Sequence, residues 1–159
     1  MPKFETILIP TDFSPPSDHA LEYGVALARQ AGATIHLVHV VAHPIEIAAW
    51  PETYYTEYAG LRQQLHEDAE RQLAARVKSI AGVKVITGVL DGSPARAIVA
   101  AARDSSCQLI VMGTHGRGGF SHLVLGSVAE RVVRTAPCPV LTVPAASTAA
   151  EKSAASSTG

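Results

Sequence analysis

Five short apolar runs recur along this chain, each separated from the next by a segment of helical pattern, and that alternation restricts the fold more than any other feature. The runs are residues 4–10, Thr34–Val40, Val83–Val89, Leu109–Met112 and Pro139–Val143. Ile7, Leu8 and Ile9 follow one another without a polar break, and so do Leu109, Ile110, Val111 and Met112. A strand with one wet face alternates in polarity, whereas an unbroken run requires cover on both faces. Strands alternating with helices build a parallel sheet, because right-handed crossovers lay each helix over it. The expected class is α/β, a single-domain open parallel five-stranded sheet with helices on both faces.

The helices announce their ends. Ser14 before Pro15 supplies a side-chain cap and then the helical position that tolerates proline, and Leu21, Val25 and Ala28 form a stripe that stops at Gly32. Leu61, Leu65, Ala69, Leu73 and Val77 predict a second helix over Thr56–Ile80, buried along that stripe and ended by Gly82. Asp91-Gly92-Ser93-Pro94 reads as a turn and cap that launches a third helix with Ile98 and Val99 inward, and a fourth runs from about Gly126 to Arg134. Between Val41 and Tyr55 lies one long irregular segment, of a length that compact domains usually reserve for functional lids or mobile connectors.

With 159 residues, 47% of them hydrophobic, the chain can bury one sizeable core. Thirteen basic residues against fourteen acidic leave a formal charge of -1, so no global field draws the protein to nucleic acid or to a membrane surface. No stretch has the length and apolarity of a membrane span and no signal segment opens the sequence, so a cytoplasmic location is expected. Cys107 and Cys138 lack metal or redox spacing and read as reduced packing residues. His36 and His39 lie an odd number of positions apart in a strand, on opposite faces, and cannot share an ion.

The chemistry concentrates in residues 113–127, Gly-Thr-His-Gly-Arg-Gly-Gly-Phe-Ser-His-Leu-Val-Leu-Gly-Ser, with a strand before and a helix after. Glycines let a ligand approach without a Cβ in the way, and a helix N-terminus offers unpaired N–H groups and a partial positive charge. Ser127 adds a hydroxyl donor. Together these describe a cradle for phosphate. It is not a P-loop, since no Gly-Lys-Ser/Thr follows, and no G-x-G-x-x-G opens a helix after the first strand.

The spacing of Gly113, Gly116, Gly126 and Ser127, G-x-x-G, nine residues, then G-S, resembles the nucleotide motif of the universal stress protein family. The likeness runs from Lys3 to Val143, and includes Ile7-Leu8-Ile9-Pro10-Thr11-Asp12-Phe13-Ser14 at the start and Ala136-Pro137-Cys138-Pro139-Val140-Leu141-Thr142-Val143 at the end. It implies a universal stress protein domain over residues 1–144, leaving 145–159 as a disordered tail of Ala, Ser and Thr with too little apolar surface to order itself. It also implies a Rossmann-like sheet in the order 3-2-1-4-5, related to the adenine nucleotide alpha hydrolases. The order then reverses between strands one and four, where Pro10-Thr11-Asp12 and Met112-Gly113 face each other.

By the same resemblance the ligand is an adenine nucleotide, ATP with magnesium bridging its phosphates. Asp12 would contact the ribose beside the metal, Val40 would meet adenine through its backbone, and Met112 would pack beside sugar or base. Gly113, Gly116, Gly126, Ser127 and the backbone of Val128 would hold the phosphates. Arg117 and His115 either neutralise phosphate charge or stay solvated, and Asp12 also has a plain reading as an acidic residue at a helix start.

Three functions are compatible with these residues. The first is an ATP-binding, nucleotide-responsive regulatory module of the stress response; the resemblance implies a homodimer that pairs the last strand, residues 139–143, across a two-fold axis, and Val140, Leu141 and Val143 have the apolar character to do so. The second is a slow ATPase or phosphotransferase, for which the motif shows no positioned base and no kinase signature set. The third is a nucleotide-independent dimeric scaffold with the 41–55 segment as its variable surface. The intact glycine motif favours the first, while ATP, ADP, AMP and cyclic AMP stay undistinguished.

Overall fold

The computed structural model describes residues 3–43, 51–115 and 125–146. Strands and helices alternate along them: β1 (Thr6–Pro10), α1 (Pro15–Ala31), β2 (Thr34–Val41), α2 (Glu52–Lys78), β3 (Val85–Asp91), α3 (Pro94–Asp104), β4 (Leu109–Gly113), α4 (Ser127–Thr135) and β5 (Val140–Val143). Every pairing is parallel, and the order is β3-β2-β1-β4-β5, as the family resemblance implies.

Side chains alternate across the sheet and divide the core in two. Ile7, Ile9, Ile35, Leu37, Leu109 and Val111 meet α1 and Leu73 of α2 on one face. Leu8, Val38, Ile110 and Met112 meet α3 and α4 on the other. Ile7, Leu8 and Ile9 are all fully buried, which is why β1 carries no polar break. Helix α1 is bounded as its sequence predicts: Ser14 Oγ accepts from Ser17 N–H, and Gly32, at φ 65, returns its N–H to Ala28. Its Gly24 lies so close to β1 that a Cβ there would overlap Cδ1 of Ile9.

At the other end of the sheet the sequence-based boundaries move. Helix α2 begins at Glu52 rather than Thr56, with Pro51 in extended conformation as its cap, and it closes at Ser79 rather than Gly82. Strand β3 is Val85–Asp91 rather than Val83–Val89, because β2 continues to Val41 and pairs that residue with Asp91. Leu61 and Leu65, expected inward, are 51% and 42% exposed, whereas Ala69 and Leu73 are buried. Length explains the split. The 27 residues of α2 extend about 40 Å at the helical rise, while the seven of β3 extend about 23 Å.

Where the helix leaves the sheet, polar contacts replace apolar ones. Arg62 donates from Nε and Nη2 to the two oxygens of Asp91, the last residue of β3. His43 and His66 each approach Asp91 Oδ1 through Nε2, at 2.9 and 2.8 Å, and His43 Nδ1 bonds Tyr58 Oη. The hydrogen bond from Arg62 outweighs the opposing effect of burial and, with a weaker contribution from His66, holds the Asp91 carboxyl well below the usual carboxylate range.

Among the described residues no helix is long and apolar enough to cross a membrane. Ala145 and Ala146 are exposed, and the rest of the expected tail, 147–159, lies outside the described residues, as do 44–50 of the irregular segment.

Candidate functional site

Strands β1 and β4 are neighbours at the centre of the sheet, and the chain leaves them in opposite directions, β1 toward β2 and β4 toward β5. Divergence of the connections opens a crevice above the carboxyl ends of the two strands. A cleft of about 700 Å³ lies there. Pro10, Thr11, Asp12, Val40, Met112, Gly113, Gly126, Ser127 and Val128 all line it, so nine of the residues singled out from the sequence come together. Gly116 and Arg117 fall outside the described residues.

The wall on the β1 side is a tight, hydrogen-bonded turn. Thr11 N–H donates to Val38 O at 2.8 Å, and Thr11 Oγ1 accepts from Phe13 N–H while sharing a hydrogen bond with Ser17 Oγ. Asp12 Oδ1 accepts from Ser14 N–H at 3.0 Å and from the Ser14 hydroxyl. Asp12 therefore braces the start of α1, its plain reading, and also lines the cleft. Phe13 takes φ 65, a conformation rare for a bulky side chain. Its surroundings hold it there: the ring stacks on His39 at 4.4 Å, and Arg76 of α2 lies over the Phe13 ring at 4.8 Å from the centroid. Arg76 also donates to Phe13 O and pairs with Asp18 of α1.

The opposite wall is the start of α4. Gly126 N–H donates to Thr114 O at 2.8 Å, and the first bond of the helix runs from Glu130 N–H to Gly126 O. Helix geometry leaves the N–H groups of Ser127, Val128 and Ala129 ahead of that bond, at the positive end of the macrodipole. All three residues line the cleft. Gly126 is required by close approach: a Cβ there would stand 2.9 Å from Thr114 O. Gly113 is nearly as constrained, with His115 O and Pro16 O at 3.2 and 3.3 Å from a Cβ.

Sequence reasoning missed Ser17, His39, Pro94, Ile98, Thr114, Leu125 and Ala129, which also line the cleft. His39 had a usable signal, since it adjoins Val40 at the carboxyl end of β2. Its Nδ1 lies 2.8 Å from Thr11 O. Its opposite-face partner His36 sits instead near Gly88, where burial lowers its pKa. Ile98 reads in the sequence only as core, because nothing local says that α3 crosses near β4. His115 joins the lining, with Nδ1 3.0 Å from Thr114 Oγ1.

Among the described residues no group of three or more His, Cys, Asp or Glu side chains could hold a metal. Asp12 is the one carboxylate among the described residues that line the cleft. A divalent ion here would have to arrive with, and be held mainly by, the oxygens of its ligand.

The sequence model described as the universal stress protein family matches residues 3–144. Universal stress protein MJ0531 of Methanocaldococcus jannaschii is 36% identical over 143 residues, 88% of this chain and 82% of that one. The solved structure of MJ0577, from the same organism, superimposes with a TM-score of 0.81 at 29% identity, over 92% of this chain and 100% of that one. A universal stress protein in complex with cAMP shares the fold at a TM-score of 0.64 and 21% identity, covering 91% of this chain and 100% of its own. Another from Archaeoglobus fulgidus, in complex with dAMP, does so at 0.57 and 19%, covering 89% and 98%. With the family's pattern spanning nearly the whole sequence, this chain belongs to the universal stress protein family.

Proposed function

We propose that the cleft between β1 and β4 binds an adenine nucleotide, ATP with magnesium in first place, and that the protein acts as a nucleotide-responsive homodimeric regulator in stress response. The observation that carries this reading is the start of α4, whose first residues Ser127, Val128 and Ala129 line the cleft behind a glycine packed against Thr114 O. Such an end attracts phosphate through directed hydrogen bonds and the helix dipole together. Pro10, Val40 and Met112 line the cleft and would offer apolar surface to a base, and Asp12, also in the lining, would meet a ribose hydroxyl or a phosphate-bound magnesium. The magnesium would neutralise phosphate charge, with Asp12 as the carboxylate beside it. The family relatives that carry cAMP and dAMP support an adenine ligand of some kind and make a mononucleotide the second reading.

Dimerisation belongs to the same proposal. Strand β5 is an edge of the sheet, with Leu141 37% exposed, and Val133 on α4 adds 47% exposed apolar surface. An unpaired edge is a template for a second copy. Val140→Asp places a charge on that edge and is expected to split the dimer; an unchanged sedimentation coefficient would reject the interface.

The nucleotide reading is tested with Gly126→Val. In the native protein, saturating Mg·ATP is expected to raise the melting temperature, as a ligand specific for the folded state must. The variant is expected to keep its helical signal and its sedimentation while losing the thermal shift. A full shift in the variant would contradict this placement of the phosphates.

A further inference from the structure

At the amino ends of β4 and β5, across the sheet from the cleft, the two cysteines meet. Cys107 follows α3 and is buried, Cys138 stands half-buried between Pro137 and Pro139, and their sulfurs are 3.6 Å apart. The backbone on both sides is pinned. Cys107 N–H bonds Ala102 O, and Ile110 N–H bonds Pro139 O at 3.0 Å, which fixes the step of β4 against β5. Sequence spacing does not reveal the pair, because the parallel ladder brings together residues 31 positions apart.

We infer that Cys107 and Cys138 form a reversible redox site that hydroperoxides convert to an intramolecular disulfide. The two thiols have different parts. Burial, followed by the hydrogen bond with Cys138, pushes the Cys107 thiol up to about 12, so it stays protonated and shielded. Cys138, the more exposed, meets the oxidant. Its thiolate attacks the peroxide oxygen, the O–O bond breaks, and the products are a sulfenic acid on Cys138 and hydroxide or alkoxide. The Cys107 sulfur then attacks the Cys138 sulfur while the Cys107 proton passes to the sulfenic hydroxyl, so the S–O bond breaks, the S–S bond forms and water leaves. Two electrons pass from the sulfurs to the peroxide. A disulfide needs about 2.05 Å between sulfurs, and the remaining travel of about 1.5 Å is within reach of a χ1 rotation. Two sulfurs without further ligands among the described residues do not make a zinc site.

The link would close a loop of 31 positions that contains β4, the glycine segment and α4. Oxidation therefore restricts the part of the chain that forms one wall of the cleft, whether or not a nucleotide is bound there.

The test uses the full chain, hydrogen peroxide as oxidant, denaturation, and alkylation of the remaining thiols before mass spectrometry. The expected product is a monomeric chain lighter by two hydrogen atoms, with neither cysteine alkylated, one cross-linked peptide holding both, and full return of both thiols after a phosphine reductant. Cys138 carried to sulfinic acid while Cys107 stays alkylatable would overturn the inference, and so would a product joined only between chains. In Cys138→Ala, Cys107 is expected to remain reduced at a peroxide dose that oxidises the native pair. Equal oxidation of Cys107 in that variant would refute the assigned order. Cys107→Ala is expected to leave Cys138 unable to close the bond and prone to over-oxidation, and a chain cross-linked internally without Cys107 is impossible, which makes it the blank for the peptide assignment.

Discussion

Helices α1 and α2 cover the same face of the sheet and are held there differently. Helix α1 lies over the centre, with Ala20, Leu21, Val25 and Ala28 buried against β1 and its neighbours. Helix α2 lies over the β2–β3 side, commits Ala69 and Leu73 to burial, and projects its first half past the end of the strands. The centre thus rests on apolar packing with little room for change, while the flank ends in a polar cluster around Asp91. Evenly spaced apolar residues mean burial only as far as there is sheet to bury them against.

The largest expected contrast is between two leucines of one stripe. Leu73→Ala removes a side chain that is 1% exposed, and it is expected to lower stability by about 2–5 kcal/mol, the range for fully packed leucines. Leu61→Ala, at 51% exposed, is expected to change it by no more than about 0.5 kcal/mol. Urea unfolding of both variants measures the two values, and equal losses would mean that Leu61 is covered.

Two helical glycines, Gly24 of α1 and Gly60 of α2, differ in the same way. Gly24→Ala forces buried Ile9 to move and is expected to cost about 1–3 kcal/mol. At Gly60 an added Cβ would meet nothing within 4 Å, so Gly60→Ala is expected to gain about 0.5–1 kcal/mol through helix propensity alone. Thermal melts of the two variants should move in opposite directions.

The smallest effect is electrostatic and belongs to the flank. The Asp91 pKa is depressed in the folded chain, so its contribution is present above the unfolded carboxylate range near 3.9 and is lost as pH falls through that range toward its folded value. Asp91→Asn is therefore expected to be less stable than the native chain at neutral pH, and the gap should narrow at pH about 3. Because the group is partly solvated, added salt should narrow it as well. A gap that widens in acid would contradict the sign.

The same contrast governs what could be read from the chain. The runs Ile7–Ile9 and Leu109–Met112 revealed β1 and β4 because both of their faces are covered, and Ser14, Pro15 and Gly32 marked α1 through local chemistry alone. Strand β3 lies at an edge, with Ile86 48% exposed, and its ends are set by pairing with β2 rather than by its own residues. In the cleft, Gly113, Gly126 and Ser127 were legible because close approach and the helix start require particular residue types. His39, Pro94 and Ile98 were not, since their place in the lining depends on how distant elements cross. The meeting of Cys107 with Cys138 was invisible for the same reason.

The most direct test of the central claim is a crystal of the protein soaked with Mg·ATP. Phosphate density is expected within hydrogen-bond distance of the N–H groups of Ser127 and Val128, with the base beside Val40. Nucleotide bound elsewhere on the surface, with the space between Asp12 and Gly126 closed by side chains, would contradict it.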